Sequence, residues 1–483
     1  MKLSTYKKIC KICNSFLKKG NYLLYLNSIS HLNIIREHPS YYNKYKNIKM
    51  NSIIIILIKN LTFLFFQNFK NIFNSLFFLN NSKILRNFNK QKLEYLFISH
   101  KINSKMQNIY EDSYIKDFIL ELDKRKTNYK VCYINNFKNY TNNKLNILNG
   151  NLLTFKDQIR ILNKMFSMSF IVFLKYLKCS NKNKKNILLI SSLNALSRDT
   201  YTNYRIYFEI LKILKYIEVK HLLITFEGYA WEKLISYNIK KYTKTKIIGY
   251  QHTGLSKYQN SILNTKSLFL PNKVFTVNLH DKILLKKNIN FKDVAIKNIG
   301  KSSFFQKEKT NWKIKYLKKN EKIKILIAND GNLDEFSDTL NLLFSLNNLA
   351  NISFIFRVHP IIKNQAKKIF NIYNKQQTKN FFTFSENKNF DVDFKKSHII
   401  IYRGSTLVIN AIRSGLLPIF FENQNMIVND ALYRLKVRRA KVQNSKQLEI
   451  FLNNAQTNIK SFNFNNYKKY TYRYFEKFNP TKL

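Results

Sequence analysis

Two short segments in the second half of the 483-residue chain carry residue types suited to holding a phosphate group. They are residues 357–360 (RVHP) and 403–406 (RGST), and each follows a short apolar run and precedes a run with helical periodicity. The free amide groups at a helix start attract anions. A hydroxyl there is equally typical of a simple helix cap. The side chains predicted to contact a phosphate are Arg357, His359, Arg403, Ser405 and Thr406.

The first half of the chain offers a carboxylate and an imidazole at comparable places. Glu227 ends an apolar run and precedes Gly228, and His252 ends the next apolar run along the chain. A carboxylate beside a hydroxyl can act as a general base, and a neighbouring histidine can orient an acceptor, balance a phosphate or share protons. Glu227 is therefore the predicted general base, with a helix-dipole carboxylate as its structural alternative, and His252 is the second predicted catalytic residue.

These residues require strands that alternate with helices. The sequence predicts strands near 94–99, 130–134, 186–190, 221–226 and 246–250, and a second alternating series that begins near 323. Such alternation is typical of an α/β protein with doubly wound parallel sheets, which bind ligands beyond the carboxyl ends of their strands. The expected architecture is two Rossmann-like domains that face each other across a cleft.

Length and composition fix the expected domain organisation. A chain of 483 residues exceeds what one hydrophobic core usually serves. The predicted parts are a helical amino-terminal extension, an acceptor-side domain, a nucleotide-donor domain and a carboxy-terminal helix that packs back on the first domain. Their predicted bounds are 1–92, 93–305, 306–460 and 461–483.

The charge of the chain is strongly positive, at a formal +55. Lysine is spread along the whole sequence without a local stripe, so we expect no specific nucleic-acid site, although a basic nucleic-acid-binding or scaffolding protein remains an alternative. Four cysteines indicate a reducing compartment, and the first thirty residues lack a signal-peptide pattern. A cytoplasmic location is predicted.

The apolar segment 53–66 is the one candidate for a membrane contact. It is interrupted by Lys59 and Asn60 and is shorter than a spanning helix requires. A packed core helix and a helix lying in the membrane interface are both consistent with it. The sequence therefore allows a peripheral contact with the inner membrane.

Motifs for bound metals or dinucleotides are not evident in the sequence. Neither a carboxylate pair with metal-binding spacing nor a P-loop or GxGxxG motif stands out. We therefore expect neither a metal site nor a resident cofactor, and a nucleotide would enter as part of the substrate.

The phosphate-binding candidates carry a family resemblance. RVHP at 357–360, RGST at 403–406 and AIRSGLLPIFF at 411–421 resemble GT-B glycosyltransferases. They look most like the sialyltransferases, polysialyltransferases and polymer glycerophosphotransferases whose donor domain has a His-Pro and a Ser-Thr motif. The resemblance implies that His359, Ser405 and Thr406 contact the donor phosphate, and it favours a CMP-linked donor slightly.

The first half adds a second resemblance. LFISHKIN at 96–103, EDSYIKDFILEL at 111–122, TFEGYAWEKL at 225–234 and IIGYQHTGLSKYQ at 247–259 resemble bacterial surface-carbohydrate proteins of O-antigen and capsule assembly. The implied partners are a nucleotide sugar and a glycan or lipid-linked glycan acceptor.

Two questions stay open at this point. The related families prefer two adjacent acids where this chain has Phe226-Glu227-Gly228, so Asp330, which precedes Gly331, is a rival base. A nucleotide-sugar 2-epimerase of the same fold is an alternative function. It would need several acidic residues in the cleft, and the sequence shows few.

Overall fold

The computed structural model describes most of the chain. The described residues are 3–18, 50–77, 91–100, 108–112, 114–134, 145–148, 152–257, 259–302, 315–318, 321–346, 351–375, 381–387, 389–422, 429–437 and 439–483.

Thirteen strands of the described chain form two parallel sheets. The first sheet contains β1 (Lys92–Ser99), β2 (Tyr129–Tyr133), β3 (Leu145–Ile147), β4 (Glu218–Thr225), β5 (Lys246–Gln251), β6 (Lys273–Thr276) and β7 (Ala295–Asn298). The second contains β8 (Ile323–Asn329), β9 (Ile352–Arg357), β10 (Phe382–Phe384), β11 (Ile399–Arg403), β12 (Leu417–Phe421) and β13 (Ala440–Val442).

Sixteen α-helices surround these sheets in the described ranges. They are α1 (Leu3–Lys18), α2 (Met50–Phe77), α3 (Lys116–Lys124), α4 (Phe155–Leu177), α5 (Lys182–Ala195), α6 (Arg198–Tyr216), α7 (Ala230–Tyr242), α8 (Asn260–Leu263), α9 (Leu279–Lys286), α10 (Leu333–Phe344), α11 (Lys363–Lys375), α12 (Phe390–Lys396), α13 (Leu407–Arg413), α14 (Ser445–Asn453), α15 (Ala455–Lys460) and α16 (Phe464–Tyr474).

The strand order locates a crevice in each sheet. The orders are β3-β2-β1-β4-β5-β6-β7 and β10-β9-β8-β11-β12-β13. In both sheets the order reverses beside the first strand, so β1 lies next to β4 and β8 lies next to β11. Doubly wound sheets bind ligands at this switch point, beyond the carboxyl ends of the strands. The predicted α/β class with two Rossmann-like domains is confirmed.

The central parallel strands β11 and β12 of the second sheet consist of buried side chains. All five residues of β11 are buried, as are all five of β12. Strands covered by helices on both faces read as continuous apolar runs, as these do. The loop after β11 is therefore anchored on a strand whose two faces are both packed.

The carboxyl ends of the two sheets contact each other. The Tyr433 hydroxyl, after β12, donates to the Leu255 carbonyl in the loop after β5, at 3.1 Å. Arg434 binds the buried Asp281 of α9, with Nη1 and Oδ1 2.6 Å apart. The loops that carry the predicted site residues therefore lie on facing edges, as expected for a cleft.

Helix α16 and the residues after it contact both halves. Asn278, after β6, donates to the Tyr474 carbonyl at 2.9 Å, and the Asn479 amide donates to the Ile299 carbonyl at 2.7 Å. On the other side, the Arg413 guanidinium of α13 donates to the Thr471 carbonyl at 2.5 Å. This segment therefore ties the two sheets together.

One predicted strand is wrong. Residues 186–190 lie inside helix α5, whose start is capped by Asn181 through a hydrogen bond to the Lys184 amide at 3.2 Å. A short apolar run does not distinguish a buried strand from a buried helix. Helix α5 packs along α4, with both serines Ser169 and Ser192 hydrogen-bonded across the contact, so tertiary packing decides the structure.

The amino-terminal region contains α1 and α2. The predicted apolar segment 53–66 is part of α2, with Leu64 buried and Ile55, Phe65 and Phe66 more than 60% exposed. Within the described ranges, no helix is both long enough and apolar enough to cross a bilayer.

Candidate functional site

Glu227 and His252 meet at the carboxyl edge of the first sheet. They follow the neighbouring strands β4 and β5, and His252 Nε2 lies 2.9 Å from Glu227 Oε1. Both residues are buried. His252 Nδ1 is also buried and makes no hydrogen bond to any described residue. A buried polar atom without a protein partner calls for an explanation, and a catalytic role is one of those known in proteins.

Glu232 holds the Glu227 loop in place. Its carboxyl group accepts hydrogen bonds from the Glu227, Gly228 and Tyr229 amides at 3.0, 2.7 and 3.0 Å, and from the Thr225 hydroxyl at 3.1 Å. These are free amides at the start of α7, which a carboxyl group complements. Glu232 is therefore a positioning residue for Glu227.

Gly228 is required by the shape of this loop. Its φ is +93°, and a Cβ there would lie 2.5 Å from the Ser261 hydroxyl oxygen. Any other residue would carry both backbone strain and a clash. The turn directs the Glu227 side chain toward His252.

Two residues that the sequence did not single out complete this side of the site. The Tyr114 ring lies over the His252 ring, with centroids 3.9 Å apart. Asp112 fixes the Tyr114 amide by a 2.7 Å hydrogen bond and accepts a 2.9 Å bond from Ser99 at the end of β1. Burial raises the pKa of Asp112. The segment 111–122 carried a family resemblance, but nothing in its spacing indicated these contacts.

The ionisation of Glu232 gives a testable pH dependence. Burial, and then the nearby Glu227 charge, raise the pKa of Glu232 from its usual 4.5 to about 8. The folded protein therefore holds this proton more tightly than the unfolded chain, and the resulting stability is lost as the pH rises from about 4.5 to about 8. Relative to Glu232→Gln, which stays neutral, the wild-type melting temperature should fall over this range.

Melting curves of both proteins across that pH range provide the measurement. Glu218→Gln, at the exposed start of β4, is the matched control and should follow the wild-type profile. A constant difference between wild type and Glu232→Gln at every pH would contradict the assignment.

At the second sheet, the loops after β8 and β11 pack against each other. The Asp330 amide donates to the Arg403 carbonyl at 3.1 Å, and Asn329 forms an isolated bridge with Gly404. Gly404 has a φ of +71°, and a Cβ there would lie 2.9 Å from the Asp330 Cβ. Asp330, the rival base, therefore lies beside the predicted phosphate-binding loop and on the opposite sheet from Glu227.

Three of the predicted phosphate contacts are partly or fully exposed. Ser405 is partly buried, and its hydroxyl oxygen accepts a 3.3 Å hydrogen bond from the Leu407 amide at the start of α13. Thr406 and His359 are exposed, and His359 is held in the turn that opens at Pro360 by a 3.1 Å bond from the Ile362 amide to its carbonyl. The Ser405 hydroxyl thus takes part in a local turn before the helix, and a phosphate contact at this residue stays a prediction.

The two predicted arginines occupy ion pairs inside the second domain. Arg403 is 1% exposed, with Nη1 3.2 Å from Asp338 Oδ2 and its guanidinium over the Phe421 ring. Arg357 Nη1 lies 2.5 Å from Oδ2 of the buried Asp393. Both guanidinium groups are therefore engaged by carboxylates of their own domain.

No group of three or more potential metal-ligating side chains occurs among the described residues. The predicted catalytic pair Glu227–His252 lies at the edge of the first sheet, and Asp330 and His359 follow strands of the second sheet.

These features define a two-sheet α/β protein with a polar pair on one edge and a hydroxyl-bearing loop on the other. A scan against models of known protein families gives no match, and a search of curated proteins gives none either. Solved structures do show similarity to the chain.

One is the UDP-GlcNAc 2-epimerase of Methanocaldococcus jannaschii in complex with UDP-GlcNAc and UDP, with 13% identity, 76% of this chain and 93% of that chain covered, and a TM-score of 0.42. Another is an α,α-trehalose 6-phosphate synthase from Burkholderia multivorans. The identity is 10%, the match covers 79% of this chain and 94% of that chain, and the TM-score is 0.44. A third is a variant of the wall teichoic acid polymerase TagF. The identity is 12%, the match covers 90% of this chain and 95% of that chain, and the TM-score is 0.37. Function must therefore be inferred from the residues of this chain.

Proposed function

We propose that this protein is a glycosyltransferase that moves a sugar from a nucleotide-linked donor to a hydroxyl group of a surface-polysaccharide acceptor of O-antigen or capsule type. The observation that carries the proposal is the buried Glu227–His252 pair, whose imidazole Nδ1 has no hydrogen-bond partner in the described structure. A buried imidazole held by a carboxylate, with a second nitrogen that makes no hydrogen bond to the described residues, suits the removal of a proton from a hydroxyl group.

Within the pair we assign the role of base to His252 and a supporting role to Glu227, which the sequence alone had indicated as the base. If His252 donates its Nε2 proton to Glu227, the carboxylate fixes the tautomer and leaves Nδ1 as the acceptor atom. The acceptor hydroxyl then gives its proton to Nδ1 while its oxygen attacks the anomeric carbon. The carbon–oxygen bond to phosphate breaks, and the nucleotide leaves with the electron pair. Glu227 stabilises the imidazolium that forms.

The second sheet would bind the leaving nucleotide. Ser405, Thr406 and His359 supply hydroxyl and imidazole groups to the phosphate, and the ion-paired Arg357 and Arg403 position their loops. Such fixed dipoles stabilise charge that grows on the leaving group. The proposal requires no metal and no resident cofactor, and among the nucleotides it favours CMP slightly.

The acceptor is a glycan or a lipid-linked glycan in this proposal. A cytoplasmic protein with a peripheral contact on the inner membrane would reach both a soluble nucleotide sugar and a lipid-linked acceptor. The positive charge of the chain, +55, favours such a contact with anionic lipid.

Thermal shifts with CMP, CDP, UDP and GDP test the donor side. A ligand that binds the folded state alone raises the melting temperature, so at least one nucleotide should stabilise the wild type. His359→Ala and Ser405→Ala should reduce that shift. Ser353→Ala, on β9 at the far end of the same sheet, is the control and should retain it. The absence of any shift, or full shifts in both variants, would contradict the donor site.

A further inference from the structure

Helix α2 exposes an apolar stripe. Ile54, Ile58, Leu61 and Phe65 recur at helical spacing and are 50%, 58%, 41% and 69% exposed. The opposite side of the helix is packed, with Leu64 buried and Asn60 donating to the Leu193 carbonyl. The stripe is therefore a surface of a folded, packed helix.

Helix α4 contacts α2 and carries a second stripe. Phe166, Phe170, Phe173 and Leu177 are 47%, 63%, 39% and 56% exposed, at the same kind of helical spacing. The inward side of α4 is buried through Ile161, Met165, Met168 and Val172. Large apolar side chains exposed together in this way mark a surface that another phase or partner covers.

A basic groove adjoins the α4 stripe. Lys156, Arg160 and Lys164 follow one another along α4 and line a groove of about 710 Å³, together with Met168, Ile171, Tyr204, Tyr207 and Leu234. The groove thus combines three cationic side chains with apolar walls. Asp157, the one acidic residue in the sequences of α2 and α4, is paired with Lys212 at 3.1 Å.

We propose that this α2–α4 face docks on an anionic lipid bilayer. The phenylalanine and aliphatic side chains of the two stripes enter the boundary between headgroups and acyl chains, and Lys156, Arg160 and Lys164 bind lipid phosphates. Aromatic and aliphatic side chains flanked by lysine and arginine are the pattern of helices that lie in a membrane interface.

Charge decides between a bilayer and other occupants. A second copy of the chain would bring the same basic groove and the same net charge, so the two faces would repel each other. A polyanion such as nucleic acid would satisfy the cations but leave eight large apolar side chains in water. An anionic bilayer complements both features.

This inference deepens the proposed function, on which it rests for its acceptor: a face held at the bilayer favours a lipid-linked glycan. It adds to that function the surface that contacts the membrane and the negative charge of the lipid that this surface binds. The site of chemistry, Glu227 and His252, lies outside the groove lining.

The test is co-sedimentation of the full chain with vesicles of phosphatidylcholine, with and without phosphatidylglycerol. The wild type should bind the anionic vesicles, and added salt should weaken binding. Ile58→Glu with Phe170→Glu should reduce partitioning by roughly tenfold or more, because buried apolar area and opposite charge are both lost. Ile372→Glu, at a site 61% exposed on α11, is the control and should bind as wild type.

Two sets of charge-reversal variants distinguish lipid binding by the basic groove from a general attraction due to the net charge of the chain. Lys156→Glu, Arg160→Glu and Lys164→Glu together should abolish the preference for anionic vesicles, whereas Lys286→Glu, Lys287→Glu and Lys292→Glu together, all on exposed positions elsewhere, should retain most of it. Equal losses in both sets, or wild-type binding by the Ile58–Phe170 variant, would overturn the proposal.

The nucleotide-induced shifts in melting temperature distinguish failure of the membrane-docking proposal from failure of the proposed function. Variants of the α2–α4 face should retain the nucleotide-induced shift of the wild type. Normal nucleotide shifts with no vesicle binding by the wild type would overturn the docking surface alone. Vesicle binding with no nucleotide shift would overturn the donor site and leave the docking surface in place.

Discussion

Glu227→Gln should lower the rate of sugar transfer by roughly 10²–10⁴-fold while nucleotide binding stays intact. Glutamine has nearly the same shape and can still hydrogen-bond His252, but it cannot stabilise a positive imidazole at the 2.9 Å distance seen here. The loss should fall on the turnover number, because the interaction develops as the proton moves. The measurement is the rate of nucleotide release from a sugar nucleotide in the presence of acceptor.

The matched control is Glu218→Gln, which changes an exposed carboxylate at the opposite end of the same strand. It should retain wild-type activity. His252→Gln should show a loss similar to that of Glu227→Gln, because the two residues act as one unit. Wild-type turnover in Glu227→Gln would remove this pair from the chemistry and favour Asp330 as the base.

Arg403→Ala should destabilise the protein by about 3–5 kcal/mol, since it removes one partner from a buried ion pair. The guanidinium is 1% exposed and lies 3.2 Å from Asp338 and 3.9 Å from the fully buried Glu335. Without it, the buried Glu335 carboxylate would lose this nearby positive charge. Denaturant unfolding measures the change in the free energy of unfolding.

Lys363→Ala is the control for the loss of a cation in the same domain. Its partner is Glu386, and both side chains are more than 40% exposed, so the free energy of unfolding should change little. If Arg403→Ala is as stable as wild type but no longer responds to nucleotide, Arg403 contacts the donor directly. That outcome would contradict the positioning role.

The pairing of Glu227 with His252 could be expected from the sequence because each residue follows an apolar run. Consecutive β-α-β units often place their strands side by side, and β4 and β5 do so here. The alternation of strands and helices likewise indicated the α/β class. The hydrophobic pattern gave a wrong prediction at residues 186–190, where a short apolar run predicted as a strand lies in helix α5.

The direction of the arginine side chains could not be predicted in the same way. Arg403 ends a strand, and its type is equally suited to a phosphate and to a buried carboxylate. Its partner Asp338 lies 65 positions earlier, on a helix of another unit. Tyr114 and Asp112 were missed for the same reason, because their contacts to His252 and Ser99 depend on how distant segments pack.

A structure determined with the stabilising nucleotide bound tests the central claim most directly. We expect the phosphate at the carboxyl edge of the second sheet, within hydrogen-bonding distance of Ser405 or Thr406 and near His359, with the sugar-bearing end directed toward His252. A nucleotide seated at the first sheet, or in the basic groove of α4, would contradict it.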